Sequence, residues 1–598
     1  MFAAAAAPVH TQFGTSSMKK SALIIITLLF AIIYADTIYP LPEWSERPDP
    51  AAAPEEALPS PVLTECLGPS PKSLNYYLDN NAMSAQVFGL LYESLLARDP
   101  DTLEYVPQLA SRWSISDDRQ TFTFWLDPNA RWSDGRPVTA ADVIWTYDTL
   151  LDPKNLTGPV RYSLERLERP ALTPDGGIRF RAKSLHWENL SAAGGFSILP
   201  KHAYENLDFN LLNFEFPVVS GPYRIKEFQE GICLTLAKRA DWWRADYPAA
   251  RGLYNFQELR LRFFEDQQNV FDAFKKGEID LMTIYTASQW HGIEDTVAAV
   301  RNHWIVKQEI HNRAPAGMQG FAINLRRPLF QDLRVRQALA HLLDRKFMNH
   351  SMMFDAYFLH RSYMEDLYDD EHPNPNPEYD YDPAKARKLL AEAGWTTNPQ
   401  TGKLEKNGRP FEFTFLNRGS ANKFLAVYSE ALKDVGITMN IVNEDWSAWA
   451  KDMDEYNFDM TWASWGGTLF KDPEQLWSSR EGQRKGSSNI TGFADPEVDR
   501  LIEAQKPIFD VQERNAINRQ IDQRIYAQVP YILLWNIDYT RLLYWNKFGT
   551  PPNVLGKYDD NAAALWWLDP DRADELAEAM DENSPLPAEP AKIHWNEP

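Results

Sequence analysis

The sequence lacks the features by which many enzymes and disulfide-rich proteins are identified. Its 598 residues contain two cysteines, Cys66 and Cys233, so the fold cannot depend on a disulfide network, although one bridge between them remains open. The motifs of zinc peptidases (H-E-x-x-H), thiol oxidoreductases (C-x-x-C), α/β-hydrolases (G-x-S-x-G) and P-loop NTPases (G-x-x-x-x-G-K-S/T) do not occur. The paired glycines lack the dinucleotide-binding spacing. We therefore expect no catalytic residues, no metal and no cofactor.

Positive charge is also scarce. The chain carries 61 Lys and Arg against 83 Asp and Glu, a net charge of −22, so nucleic-acid phosphates would be repelled and no nucleic-acid partner is expected. With 44% hydrophobic and 24% charged residues, the composition is globular and excludes disordered and polytopic membrane classes. The unusual feature is the content of aromatic rings: 21 Trp, 25 Tyr and 31 Phe. Because glycan-acting enzymes use pairs of carboxylates, the many acidic and aromatic side chains keep a secreted enzyme of this class as an alternative.

The N-terminal apolar run is too short for an ordinary membrane span. Residues 21–35 are uncharged, fewer than the about 20 residues that a spanning helix needs, and follow two lysines directly after Met18. A basic segment before a short apolar run is typical of an export signal. We interpret residues 1–35 as an over-called start plus this signal, with an uncleaved anchor as the alternative. Residues 36–61, rich in Pro, Ala and Glu, are predicted to form a linker, and the protein is expected in the periplasm.

Strand and helix patterns are mixed along the rest of the chain. The stretch 121–126 (TFTFWL) alternates at every second residue, as a strand does. A helix is predicted to begin after Thr139, with Asp142 completing a capping box. Strand patterns at 411–417 and 437–446 flank a helical stretch, which predicts a β-α-β unit. The predicted fold class is α/β with mixed sheets.

Four motifs carry a family resemblance. They are VPQLASRWSISDDRQTFTFWLDPNARWSDGRPVTAADV at 106–143, FAINLRRPLFQDLRVRQALAHLLDR at 321–345, YDPAKARKLLAEAGW at 381–395 and NITGFADPEVDRLI at 489–502. In this order they resemble the family 5 extracellular solute-binding proteins, the dipeptide and oligopeptide receptors of ABC importers, over roughly residues 62–550. The stretches GMQGFAINLRRPLFQD and RSYMEDL look most like the YejA-type branch.

The resemblance implies a two-lobed periplasmic-binding-protein type II fold, cluster C-like, that closes over a ligand about a hinge. Lobe one would comprise 62–100, 215–310 and 535–598, with an extra subdomain at 101–214, and lobe two would comprise 311–534. The implied function is the capture of peptides or peptide-containing compounds and their delivery to the permease of an ABC importer. A receptor for oligosaccharides or muropeptides is the second alternative, and we expect a monomer.

The resemblance also places ligand contacts on one segment of lobe two. Trp465 matches an aromatic wall of the pocket, and Trp462 matches a position that carries a cation in some relatives. Gly466 and Gly467 would let a ligand backbone approach closely. The carboxylate that holds a peptide's α-ammonium in the family falls on or near Thr468, so this chain lacks that anchor.

Further candidates lie outside that segment. Trp446 matches a pocket wall, and Asp445 or the neighbouring Glu444 would replace the missing carboxylate, unless they face solvent. Arg361 would pair with a ligand carboxylate through its bidentate fork, unless it is a surface residue.

For two further candidate ligand contacts, a purely structural role is an equal alternative. Tyr76, with Tyr77, matches a loop facing the cleft, and interior packing is the alternative. Asn324 lies near the crossing between lobes, where a structural role is the alternative.

Overall fold

The computed structural model describes residues 36–40, 60–419 and 422–595. The predicted export signal at 1–35 lies outside these residues, as does most of the predicted linker. The domain boundaries given above stay a prediction, and the sheets and cores are described here by their own residues.

Three larger sheets form the first part of the fold, and each is given in hydrogen-bonding order. The first has four strands: Ser60–Gly68, Phe256–Phe263, Cys233–Lys238 and Tyr223–Gln229. The second has four: Leu281–Thr283, Thr540–Trp545, Ile305–His311 and Lys592–His594. The third has five: Thr37–Tyr39, Ala110–Ile115, Thr121–Leu126, Ile178–Arg181 and Ala171–Leu172. Two short pairs accompany them: Leu96–Arg98 with Tyr105–Pro107, and Phe548–Gly549 with Trp567–Leu568.

One five-stranded sheet organises the other part. Its order is Thr438–Glu444, Glu412–Arg418, Met460–Trp465, Met318–Ile323 and Tyr531–Leu533. It contains parallel and antiparallel neighbours, so the prediction of an α/β fold with mixed sheets is confirmed. Smaller sheets lie beside it: Phe358–Leu359 with Trp535–Asn536, and Thr396–Thr397, Leu404–Lys406 and Arg409–Pro410.

Helices cover these sheets. The longer ones are Ala82–Leu91, Ala140–Leu151, Gly158–Leu164, Gln267–Lys275, Ala287–Thr296, Leu333–His341, Arg345–Met353, Pro383–Glu392, Lys423–Asp434, Trp446–Glu455, Pro496–Gln505, Val511–Gln528 and Pro570–Glu582. Shorter ones are Asn189–Gly194, Lys201–Tyr204, Ala298–Arg301, Glu474–Trp477, Ser479–Gln483 and Ala562–Leu565. Within the described ranges, no helix combines the length and apolar character needed to cross a membrane.

Each part has its own central sheet with buried side chains on both faces. In the strand Thr540–Trp545, Leu542 belongs to one buried cluster and Leu543 to another, because successive side chains point to opposite faces. In Met318–Ile323, Phe321 and Ala322 divide in the same way between two further clusters. We call the body around the first strand lobe one and the body around the second lobe two.

The chain crosses between the lobes at two adjacent places. It enters lobe two between Ile305–His311 and Met318–Ile323, and returns between Trp535–Asn536 and Thr540–Trp545. The side-chain amide of Asn536 donates to the carbonyl of Gly317 at 2.8 Å, which joins the two crossings. Two short, paired crossings are the arrangement expected of a hinge.

The predicted linker is wrong for Thr37–Tyr39. These residues form a strand that pairs with Ala110–Ile115, and the ring of Tyr39 stacks on Trp113 at 5.4 Å. Proline enrichment around this short stretch hid the strand signal. The sheet that it joins lies in the predicted extra subdomain, whose Phe124 belongs to the same buried cluster as Leu63 of lobe one. The subdomain and lobe one therefore share one core.

The local sequence predictions hold. The backbone N–H of Thr139 donates to the Asp142 carboxylate at 2.8 Å, which is the capping-box contact that begins the helix Ala140–Leu151. Glu412–Arg418 runs parallel to Thr438–Glu444 with the helix Lys423–Asp434 between them, as predicted for the β-α-β unit.

A bridge between the two cysteines does not form. Cys66 and Cys233 are free, and both lie in register with Arg262 on the strand that separates them. Two strand spacings amount to about 9.6 Å. That separation exceeds the about 7 Å within which two Cα atoms can be bridged, so the sheet itself holds the thiols apart.

Candidate ligand-binding site

A cavity of about 620 Å³ lies between the lobes. Most of its wall comes from lobe one and its subdomain, and a smaller part comes from lobe two. We call it the interlobe cavity. Its lining residues are Tyr76, Tyr77, Asn80, Val160, Ser163, Leu164, Glu188, Ser191, Ala192, Gly195, Phe196 and Ser197 from lobe one, with Trp465, Gln475 and Ser488 from lobe two.

Trp465 is the aromatic wall on the side of lobe two. It ends the strand Met460–Trp465, where it pairs with Met318 just after the chain crossing. Its indole N–H donates to the hydroxyl of Tyr531 at 3.1 Å, so the ring is held in one orientation while it lines the cavity.

Tyr76 and Tyr77 face the cavity from lobe one. Tyr77 is buried, its hydroxyl donates to the carbonyl of Ser197, and its ring meets Phe88 edge-on at 5.2 Å. Tyr76 is half-buried and packs beside Tyr77 with the ring centres 6.2 Å apart. The cleft and packing interpretations of this pair therefore both apply, with Tyr77 the more firmly packed of the two.

The two glycines after Trp465 have different surroundings. A β-carbon on Gly466 would meet no atom within 4 Å, so this position leaves room for a ligand. A β-carbon on Gly467 would lie 2.2 Å from the carbonyl oxygen of Pro315. Gly467 is therefore required by the chain's own backbone at the lobe crossing, and not by the approach of a ligand.

Trp462 and Thr468 do not line the interlobe cavity. Trp462 stands three residues before Trp465 on the same strand, so its side chain points to the opposite face. There its indole N–H donates to the side-chain oxygen of Gln319 at 3.0 Å, and its ring packs against Phe321. Thr468 is exposed, beyond the end of the strand.

The strand end that carries Glu444 and Asp445 also lies away from the cavity lining. Asp445 is exposed, and its carboxylate accepts the backbone N–H of Ala448 at 3.0 Å in the first turn of the helix Trp446–Glu455. Glu444 is half-buried, and burial raises the pKa of its carboxyl. The side chain of Trp446 lies outside the described part of the structure.

Arg361 and Asn324 have structural positions in lobe two. The Arg361 guanidinium donates to the carbonyls of Asn374 and Asn376, so it holds a loop of its own lobe. Asn324 is buried, and its amide donates to the carbonyls of Tyr456 and Phe458. The structure brings neither residue to the interlobe cavity.

Glu188 is the acidic residue of the cavity lining, and no motif or spacing in the sequence pointed to it. Its carboxylate accepts a hydrogen bond from Arg166 at 2.9 Å. Arg166 also lies 3.0 Å from His186 and 4.0 Å from Asp472, which belongs to lobe two. Glu188 thus places a carboxylate on the wall of the cavity that faces Trp465.

His186, Glu188 and Asp472 lie close enough together to raise the question of a metal ion. The Arg166 guanidinium sits within hydrogen-bonding distance of two of them, and its charge opposes a cation there. Burial, together with Arg166, lowers the pKa of His186 to about 2. Burial, with Glu188 nearby, raises the pKa of Asp472 to about 6. The group fits an internal ion pair between the lobes better than a metal site.

A second contact joins the lobes beside this ion pair. The backbone N–H of Trp187 donates to the carbonyl of Lys506 at 2.9 Å, and its indole N–H donates to the side-chain oxygen of Gln505 at 3.1 Å. The Arg514 guanidinium lies 4.1 Å over the indole ring. We call these interactions the Trp187 contact.

Comparisons with known proteins agree with this architecture. The family model described as bacterial extracellular solute-binding proteins, family 5, matches residues 104–487. The peptidoglycan-binding protein YepA of Agrobacterium fabrum is 29% identical over 524 residues, which cover 80% of this chain and 84% of that protein. The protein named "Probable peptide-binding protein YejA" of the same organism is 27% identical over 525 residues, with 80% and 84% covered.

Among solved structures, the chain is similar to the oligopeptide-binding protein AppA of Bacillus subtilis, determined with a nonapeptide. The TM-score is 0.73 at 22% identity, and the match covers 86% of this chain and 100% of that one. At this identity the similarity concerns the fold. The predicted two-lobed type II architecture is confirmed.

Proposed function

Because the chain belongs to family 5 of the bacterial extracellular solute-binding proteins, we propose that it captures peptides or peptide-containing compounds in the interlobe cavity. It then delivers them to the permease of an ABC importer. The protein acts in the periplasm as a monomer, and its ligand leaves chemically unchanged.

One observation carries the proposal: the interlobe cavity has an aromatic wall on each side, Tyr76 on lobe one and Trp465 on lobe two. A ligand that touches both walls favours the closed state over the open state, and this differential affinity is what drives closure. The volume of about 620 Å³ lies in the range of small-molecule sites and suits a short peptide.

The polar groups of the lining suit a peptide backbone. Hydroxyls of Ser163, Ser191 and Ser488 and the amide of Gln475 both donate and accept, as main-chain N–H and C=O groups require. Water fills the remaining space and adapts the cavity to different side chains. Although Arg166 balances its charge, the Glu188 carboxylate keeps lone pairs with which it accepts an N–H of a ligand ammonium.

Muropeptides belong to the same ligand class, because they join a peptide to sugar rings. The aromatic walls suit a sugar ring as well as a peptide side chain. A relative at 29% identity is named a peptidoglycan-binding protein, which supports including cell-wall fragments among the ligands tested. The glycan-acting enzyme is not favoured, since the family is a group of binding proteins.

Titration calorimetry of the purified protein with di-, tri- and tetrapeptides and with cell-wall tripeptide tests the proposal. We expect one site per chain and a tenfold or greater loss of affinity in Trp465→Ala, about 1.4 kcal/mol. Trp125→Ala is the matched control, because Trp125 lies on the subdomain sheet and outside the cavity lining. Equal affinities in wild type and Trp465→Ala would show that the ligand does not bind in this cavity. A chemically altered product in molar excess over the protein would indicate an enzyme.

A further inference from the structure

The chain crossings and the Trp187 contact both adjoin residues that line the interlobe cavity. Trp465 adjoins the chain crossing, where a β-carbon on Gly317 would lie 2.3 Å from its carbonyl oxygen. Glu188, on the opposite wall, directly follows Trp187 in the chain. The Trp187 contact therefore joins the two lobes directly beside the cavity wall.

Trp187 meets lobe two without lining the cavity. Its partners Gln505, Lys506 and Arg514 belong to the end of one helix and the start of the next. Its ring centre also lies 6.2 Å from that of Phe470. Glu188 and Ser191 of this segment line the cavity, whereas Trp187 contacts lobe two.

Other interactions between the same two surfaces surround the Trp187 contact. The Arg98 guanidinium of lobe one lies 4.5 Å over the ring of Phe470, and the Arg119 guanidinium lies 4.4 Å over Phe509. Together with the Trp187 contact, they dock lobe one and its subdomain against lobe two.

We propose that Trp187 is a positioning residue that holds the lobes closed over the ligand without touching it. This proposal takes the identity of the ligand from the proposed function. The Trp187 contact itself does not depend on which ligand is bound. Because the Trp187 contact exists only when the lobes meet, it stabilises the closed state by the same amount whatever ligand is enclosed. The extra subdomain would thereby set how long any ligand stays bound.

Two variants test the proposal by stopped-flow and calorimetry. Trp187→Ala is expected to raise the ligand dissociation rate about tenfold, to leave the association rate within twofold, and to weaken every peptide of a panel by the same factor. Trp187→Phe, which keeps a ring against Arg514 but loses the bond to Gln505, is expected to fall between. Trp465→Ala serves as the contrast, because its loss of affinity should differ from one peptide to another. Losses in Trp187→Ala that vary with the peptide, or no loss, would overturn the proposal.

A measurement without ligand separates this proposal from the proposed function. Small-angle scattering of the ligand-free protein is expected to show a larger radius of gyration for Trp187→Ala than for wild type, with Trp125→Ala unchanged. Thermal unfolding checks that the variants remain folded, and Trp187→Phe carries the test if Trp187→Ala does not. Equal radii of wild type and Trp187→Ala, both without ligand and at the peptide concentration that half-saturates the wild type, would contradict the role of Trp187. If the radius is larger for Trp187→Ala but no peptide binds to the wild type, the role of Trp187 in lobe closure is supported and the proposed ligand class is wrong.

Discussion

A β-carbon on Gly317 would lie 2.3 Å from the carbonyl oxygen of Trp465, so the chain crossing and the aromatic wall of the cavity are in direct backbone contact. Trp465 also pairs with Met318, the first residue of the strand that follows the crossing. Any rotation about the crossings must therefore act next to the ligand's aromatic wall. This relationship explains how ligand contact and lobe closure are linked through one strand.

The adjacent glycines Gly466 and Gly467 give the sharpest mutational comparison. Gly467→Ala is expected to destabilise the protein by about 1–3 kcal/mol, because its β-carbon would overlap the carbonyl of Pro315. Gly466→Ala is expected to leave the stability within 0.5 kcal/mol, roughly the scatter of surface substitutions, and to weaken ligand binding if the ligand backbone approaches there. Urea unfolding and calorimetry measure both effects. Equal stability losses would contradict the different surroundings of the two glycines.

Glu188 is expected to select ligands with a free ammonium. Glu188→Gln should weaken the binding of peptides with a free N-terminus about fivefold, near 1 kcal/mol, because these carry a positive charge. The affinity for N-acetylated peptides, which lack that charge, should not change. Glu168→Gln, at an exposed position of the same subdomain, is the control. The same loss for free and acetylated peptides would show that Glu188 acts through its structural bond to Arg166 and not on the ligand.

Arg361 is expected to affect stability and not affinity. Arg361→Ala removes the donor to the carbonyls of Asn374 and Asn376 and should lower the free energy of unfolding by about 1–3 kcal/mol. Peptide affinity, measured by calorimetry, should stay within twofold of wild type. A tenfold loss of affinity with unchanged stability would show that Arg361 contacts the ligand.

The buried carboxyl of Glu93 gives a pH prediction. It is 2% exposed, accepts the indole N–H of Trp243 at 2.8 Å, and burial raises its pKa to about 7. In the unfolded chain an ordinary glutamate titrates near 4.3. Between these values the folded state holds a proton that the unfolded state has lost, so this group lowers stability as the pH rises from about 4.3 to 7, with no further change above 7.

Glu93→Gln removes this titration while it keeps the size of the side chain and an acceptor for Trp243. Relative to wild type, the variant is expected to be more stable at pH 8 than at pH 5, by a difference on the order of 1–3 kcal/mol. Urea unfolding of both proteins at the two pH values measures it, and other titrating groups cancel in the comparison. A difference that does not change with pH would show that Glu93 stays ionised in the folded protein.

Local features could be predicted from the sequence where short-range chemistry determines them. The capping box at Thr139 and Asp142 and the β-α-β unit at 412–444 depend on neighbouring residues and appear as predicted. The strand Thr37–Tyr39 could not be predicted, because its partner lies about 75 residues away and supplies the pairing that three residues cannot signal.

Site residues were predicted only in part, for a geometric reason. Trp465 reaches the cavity, but Trp462, three positions earlier on the same strand, must face the other way. Glu188 and Trp187 belong to a loop that meets lobe two more than 300 residues later in the chain, and no spacing in the sequence reveals such a meeting. Contacts between lobes are set by the closed three-dimensional arrangement and not by local pattern.

The proposed function requires that a peptide-type ligand occupy the cavity between Tyr76 and Trp465. The most direct test is mass spectrometry of the small molecules released when the protein, purified from the host periplasm, is denatured. We expect peptides or peptide-containing compounds in near-equimolar amount with the wild-type protein, and at least tenfold less with Trp465→Ala. No peptide from the wild type, or equal amounts from both proteins, would contradict the account.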